Sequence, residues 1–120
     1  MTDNAPRIDW TRDEHILALE LYLRRTSSLP GKEHPEVLEL SQFLIEMAGK
    51  LRLTVGKKYR NPNGVSMKLQ NFKRCDPAYA HAGKSGLPHG SEGEQIIWDE
   101  FSKDIDALKA AAVEIRSRFR

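Results

Sequence analysis

No run of apolar residues approaches the roughly eighteen that a membrane span requires, so the sequence predicts no transmembrane segment. A single cysteine, Cys75, excludes an internal disulfide and fits a reducing, cytoplasmic setting; no catalytic partner is visible for it, and it reads as a spectator thiol. Residues 1–7 are polar, lack the apolar centre of a signal peptide, and read as a disordered start. No internal repeat or low-complexity tract occurs, and no stretch shows sustained period-two alternation. The most informative absence is acidic. Between Met47 and Cys75 there is no Asp or Glu at all, whereas eight Lys or Arg occupy the same stretch.

The complete chain is nearly balanced, with 19 basic against 17 acidic residues, so elsewhere acids outnumber bases by six. Positive charge is thus sorted into one region. Such sorting concentrates field on one face, as a polyanion-binding surface needs, although a merely solvated basic loop and helix has the same composition. At 120 residues with 39% apolar content, the chain fits one globular domain over residues 1–120 with a modest core.

The periodicity predicts an all-α, four-helix compact domain. Thr11 followed by Glu14 forms a capping box behind Trp10, and Ile16, Leu19 and Leu23, flanked by Leu17 and Leu21, give the first helix a wide apolar face. Residues Thr26 to Gly31 read as a linker. A second helix starts at Pro35 after His34, carries Val37, Leu40, Leu44 and Met47, and ends near Gly49. Leu51, Leu53 and Val55 alternate weakly and suggest a short extended segment near residues 51–55. A third helix, capped by Asn61 or Asn63, runs to about Arg74 and stops before Asp76-Pro77. Residues 77–90 read as a long loop. A capping box of Ser91 and Glu94 then opens one final helix with Ile97, Phe101, Ile105, Leu108 and Ala112 on one side, continuing to Ile115.

The third helix carries the chemistry. With Val65, Leu69 and Phe72 placed inward, the opposite side presents Asn63, Met67, Gln70, Asn71 and Arg74, with Ser66, Lys68 and Lys73 on the flanks. Asn and Gln can take adenine by two hydrogen bonds, Arg can take guanine, and Met can meet a pyrimidine methyl group. The flanking Ser66, Lys68 and Lys73, with Lys57, Lys58 and Arg60 along the preceding loop, are placed to reach phosphates. A short helix presented after a turn is also the helix-turn-helix route into the major groove. Met67 has a second reading as gap-filling core.

The strings Trp10-Thr11-Arg12-Asp13-Glu14, Leu19-Glu20-Leu21-Tyr22, His34-Pro35-Glu36-Val37, Arg60-Asn61-Pro62-Asn63-Gly64-Val65 with Met67-Lys68-Leu69 and Asn71-Phe72, and Trp98-Asp99-Glu100-Phe101 carry a resemblance. With Gly86-Leu87 and Gly90-Ser91 they resemble the N-terminal domain of McrA-like HNH restriction endonucleases over about residues 8 to 116. The string from Arg60 to Phe72 is the most specific part. In that family a helical head precedes a zinc-supported nuclease, and some members restrict modified DNA, such as DNA bearing methylcytosine. The resemblance therefore implies a double-stranded DNA-contacting specificity or docking domain, with the metal confined to a downstream nuclease. A protein-interaction or homodimerisation head, using the last helix, is the alternative.

No catalytic site is legible in the chain itself. One cysteine cannot supply the paired Cys-x-x-Cys of a structural zinc, and His15, His34, His81 and His89 have no ligand spacing, so no metal or other cofactor is expected here. His15 reads as a surface or partly packed helix residue. Gly83-Lys84-Ser85 resembles the end of a phosphate loop, but Ala78 stands where its first glycine belongs, which argues against nucleotide binding. Neighbouring acids such as Asp99 with Glu100, or Asp104 and Asp106, read as solvated helix charges that would repel DNA from the far side.

Overall fold

The computed structural model describes residues 8–26, 28–78 and 92–120, which form five α-helices and one 3-10 turn; among the described residues there is no strand. Helix α1 (Arg12–Arg24) is capped as the sequence predicts. The Thr11 hydroxyl accepts from the Glu14 amide at 3.2 Å, and the Glu14 carboxylate accepts from the Thr11 amide at 2.9 Å. Eight residues of α1 are buried, from Glu14 to Leu19 together with Leu21 and Tyr22. A helix covered on nearly every side belongs at the centre of a domain. It contacts all four other helices.

Helix α2 (Pro35–Lys50) begins behind His34, whose Nδ1 accepts from the Glu36 amide at 3.1 Å. Its stripe of Val37, Leu40, Leu44 and Met47 is buried in the common core. The chain then turns back in a left-handed stop. Leu53 N–H donates to the Ala48 carbonyl at 2.9 Å and Arg52 N–H to that of Gly49 at 3.0 Å, with Arg52 at φ 59°. This paired bonding is the usual way a helix satisfies its last carbonyls, and the left-handed position normally holds glycine. The extended segment expected at residues 51–55 is therefore not a strand, because its first residues close α2.

Helix α3 (Pro62–Phe72) takes Asn61 as its cap, the side-chain oxygen accepting from the Gly64 amide at 2.8 Å. Val65, Leu69 and Phe72 are buried, as their spacing predicts. The helix stops at Phe72, and Lys73–Cys75 tightens into a 3-10 turn instead of continuing to Arg74. Residues 51–61 separate α2 from α3, a longer connection than the roughly three- or four-residue turn of a helix-turn-helix unit. That expected likeness reduces to a short helix delivered by a loop.

The single final helix expected after Ser91 is two helices, α4 (Glu92–Phe101) and α5 (Ile105–Arg118). Asp104 breaks it. Its backbone leaves helical geometry at φ −139° and ψ 75°, and its carboxylate accepts from the Ala107 amide at 3.1 Å, the local bond that competes with helix continuation. Ile97 and Phe101 enter the core from α4, and Leu108, Ala112 and Ile115 from α5, while Ile105 remains exposed. Ser91, the expected start of the second capping box, lies outside the described residues, as do residues 1–7 and most of the expected loop at 77–90. No helix among the described residues is long and apolar enough to cross a membrane.

Because a side chain in the left-handed region costs roughly 1 kcal/mol relative to glycine, Arg52→Gly is expected to stabilise the domain by about 0.5–1 kcal/mol. Thermal unfolding should show a raised midpoint; a lowered one would mean that the Arg52 side chain makes contacts outweighing its backbone cost.

Candidate nucleic-acid interface

The loop entering α3 is fixed by one buried ion pair. Arg60 is 8% exposed, and its Nε donates to Glu14 Oε2 at 2.6 Å while an Nη donates to Oε1 at 3.0 Å. The same guanidinium donates to the Ile8 carbonyl at 3.1 Å and the Asp9 carbonyl at 3.0 Å. It stacks over the rings of Tyr59 and Trp10, at 4.2 Å and 4.9 Å from their centroids. Arg60 sits at φ 47°, and its carbonyl accepts from the buried Ser41 hydroxyl at 2.7 Å. Planar, bidentate geometry of this kind is what arginine supplies and lysine does not. Burial, with Glu14 nearby, raises the Tyr59 phenol above its ordinary range.

A second carboxylate organises the middle of α3. Glu94 of α4 is fully buried; its Oε2 accepts from Lys68 Nζ at 2.6 Å and lies 3.1 Å from His15 Nε2, and its Oε1 accepts from Arg74 at 3.2 Å. His15 Nδ1 lies 3.0 Å from the Thr11 carbonyl, so both ring nitrogens face oxygen atoms. The ring is wedged beneath Gly93, where an added Cβ would stand 2.5 Å from His15 Cε1. His15 is therefore a buried residue, not the surface or partly packed one expected. Gly93 is needed for the close approach of α4 to α1.

These contacts redistribute the candidate residues. Arg60 and Lys68, expected to reach phosphates, are buried against carboxylates and belong to the framework. Arg74 is half-buried and ion-paired to Glu94. Asn61 is the α3 cap. Lys57, Lys58, Asn63 and Met67 are exposed, Ser66, Gln70 and Asn71 are half-buried on α3, and Lys73 is half-buried in the 3-10 turn that follows. Arg52, which the sequence did not single out, is exposed on the same acid-free stretch. The outward ridge of α3 thus runs Asn63, Met67, Gln70, and Arg52, Lys57 and Lys58 are exposed on the loop that precedes it. It bears no carboxylate of its own.

Glu14 and Glu94 were missed as site-forming residues, although a signal for both exists. Glu14, Leu17 and Leu21 share one face of α1, Glu94, Ile97 and Phe101 share one face of α4, and Lys68 lies beside Val65 and Phe72. Charged residues in register with a buried stripe point inward and need partners. No group of three or more His, Cys, Asp or Glu side chains suited to a metal ion occurs among the described residues. Cys75 is half-buried, and burial raises its thiol above the ordinary range. Comparison with known proteins returns no matching family model, no matching curated protein and no matching solved structure.

Removing one member of a buried pair leaves its partner charged and unsolvated, at a cost of about 3–5 kcal/mol. Glu94→Ala is expected to destabilise the domain by that order in urea unfolding, and Lys68→Met introduced beside it should recover part of the loss. An equal loss in single and double variants would show that Glu94 does not act through Lys68. Cys75 should react with a thiol reagent at neutral pH more slowly in the folded protein than in the urea-unfolded chain, since the thiolate is the reactive form. Equal rates would show that the thiol is open to solvent.

Proposed function

We propose that this chain is a double-stranded DNA-binding module, acting as the specificity or targeting head of an HNH-type restriction endonuclease and able to respond to sequence or to base modification. The observation that carries the reading is the acid-free stretch itself. It leaves Arg52, Lys57 and Lys58 exposed on a loop leading into a helix whose outer ridge holds amides and no carboxylate. Cations approaching from the loop suit phosphates, whereas the amides of Asn63, Gln70 and Asn71 suit base edges. The resemblance to McrA-like heads supports the same reading at the level of framework. Thr11 and Glu14 cap α1, Arg60 forms the buried pair, Asn61 caps α3, and Val65, Leu69 and Phe72 are core. Catalysis would belong to a separate nuclease segment.

An alternative is a protein-interaction or dimerisation head, favoured by Val113, which is 64% exposed on the outer side of α5. Salt separates the two. For duplex binding, the logarithm of affinity should fall linearly with the logarithm of salt, by about 0.9 for each phosphate neutralised. Lys57→Ala with Lys58→Ala should weaken all duplexes alike and flatten that slope by about two, and Asn71→Ala should change preference among sequences. Fluorescence anisotropy on short duplexes measures both. Salt-insensitive self-association without duplex binding would establish the interaction head instead.

A further inference from the structure

The solvent-facing side of α4 contributes nothing to the basic ridge, yet it carries an exposed apolar residue. Ile96 is 58% exposed, one helical turn from Glu92 on one side and from Glu100 on the other, with Asp99 on the same face. Beside it lies a cavity of about 230 Å³ between α1 and α4, lined by Trp10, Arg12, His15, Gly93, Ile96 and Ile97. Trp10, Ile96 and Ile97 make its walls apolar. The imidazole and guanidinium in the lining are already engaged: His15 faces Thr11 and Glu94, and Arg12 donates from both Nη atoms to Glu100. Around this hollow the charge is acidic. Asp9 next to Trp10, Glu92 next to Gly93, and Asp99 and Glu100 on α4 are all exposed, whereas the cation in the lining, Arg12, is neutralised by Glu100. Lys103 stands past the end of the helix.

We propose that this hollow receives a segment of a partner protein that carries one large apolar side chain flanked by lysine or arginine. Size, lining and charge select that occupant. The volume falls below the roughly 300–1,000 Å³ of sites that enclose drug-sized ligands, and it suits a single anchoring side chain, the usual centre of a protein contact. The anchor is apolar because the walls are apolar and the lining imidazole and guanidinium already have partners, so a polar guest would be buried without compensation. Carboxylates at the mouth favour positive flanks. The same carboxylates disfavour two other occupants. A nucleic acid would set its phosphates against them, and a second copy docking through the same face would set acids against acids. The contact uses none of the residues proposed for phosphates or bases, so it does not depend on duplex binding.

A fluorescein-labelled peptide with one leucine between two pairs of lysines, titrated with the full chain and read by anisotropy, tests the site. Replacing its leucine by alanine should weaken binding about tenfold, the effect of burying most of one large apolar side chain. Ile96→Ala in the protein should weaken the leucine peptide severalfold and leave the alanine peptide unaffected, with an unchanged unfolding midpoint because Ile96 is exposed. Glu92→Gln with Asp99→Asn should weaken it about two- to fivefold and flatten its dependence on salt. Failure to bind the leucine peptide, or equal binding of the leucine and alanine peptides, overturns the proposal, the latter by showing charge attraction without a pocket. So does an Ile96→Ala protein that binds the leucine peptide as tightly as wild type, or a glutamate-flanked peptide that binds as well as the lysine-flanked one. Self-association lost in Ile96→Ala, with no peptide captured, makes the face a contact between copies and likewise overturns it. Duplex affinity of the Ile96→Ala protein should equal that of wild type, so peptide binding and DNA binding are read separately.

Discussion

The ion pair between Glu14 and Arg60 is the constraint on which the remaining arrangement depends. Its carboxylate already closes the N-terminal cap of α1, so the guanidinium is delivered to a fixed point on the central helix. The same guanidinium holds the carbonyls of Ile8 and Asp9, lies against Trp10 and Tyr59, and stands at the residue immediately before the cap of α3. A buried pair adds little stability beyond what an apolar replacement would give, but its directional bonds tolerate few alternative arrangements. Here they set where α3 begins and which of its faces turns outward. The left-handed backbone of Arg60, unfavourable for a side chain, persists because the surrounding bonds over-determine it.

The basic stretch consequently has two populations of cations. One is structural: Arg60 and Lys68 are drawn inward by carboxylates from α1 and α4, Arg74 is tied to Glu94, and Lys50 donates to the Phe119 carbonyl. The other is exposed on the loop before α3. Charge sorting along the sequence and charge sorting in space therefore differ, because Glu14 and Glu94 come from distant segments. The solvent-facing field is weaker than the sequence count suggests, and a larger share of any recognition falls on the neutral ridge of amides and the thioether.

Much of this was legible in the residues. The N-terminal cap at Thr11, the start of α2 behind His34, and the buried stripe of α3 follow from local chemistry, since each depends on neighbours within one turn, while the choice of Asn61 over Asn63 as the cap of α3 comes from the structure. The break at Asp104 was not read, because an apolar spacing from Ile97 to Ala112 fits one helix as well as two, and only an Asp able to cap distinguishes them. The short extended segment was misjudged because the left-handed stop uses Arg52, where glycine is the usual marker. The inward commitment of Arg60 and Lys68 was hidden for a different reason. Their partners lie 46 and 26 positions away, and local pattern carries no information about such pairings. For Met67 the helical wheel left two readings open, and its exposure decides between them.

The Glu14–Arg60 contact has a consequence for how the chain assembles. It ties together positions 46 apart, so all of α2 lies inside the circuit it closes. Bringing the ends of such a circuit together costs on the order of 3.4 kcal/mol in chain entropy before any contact is gained. An ion pair cannot meet that cost alone, so closure must coincide with the docking of α2 onto α1. The middle helix is thus enrolled in the same cooperative unit as its neighbours, and its backbone amides should lose protection from hydrogen exchange together with those of α1 and not before them.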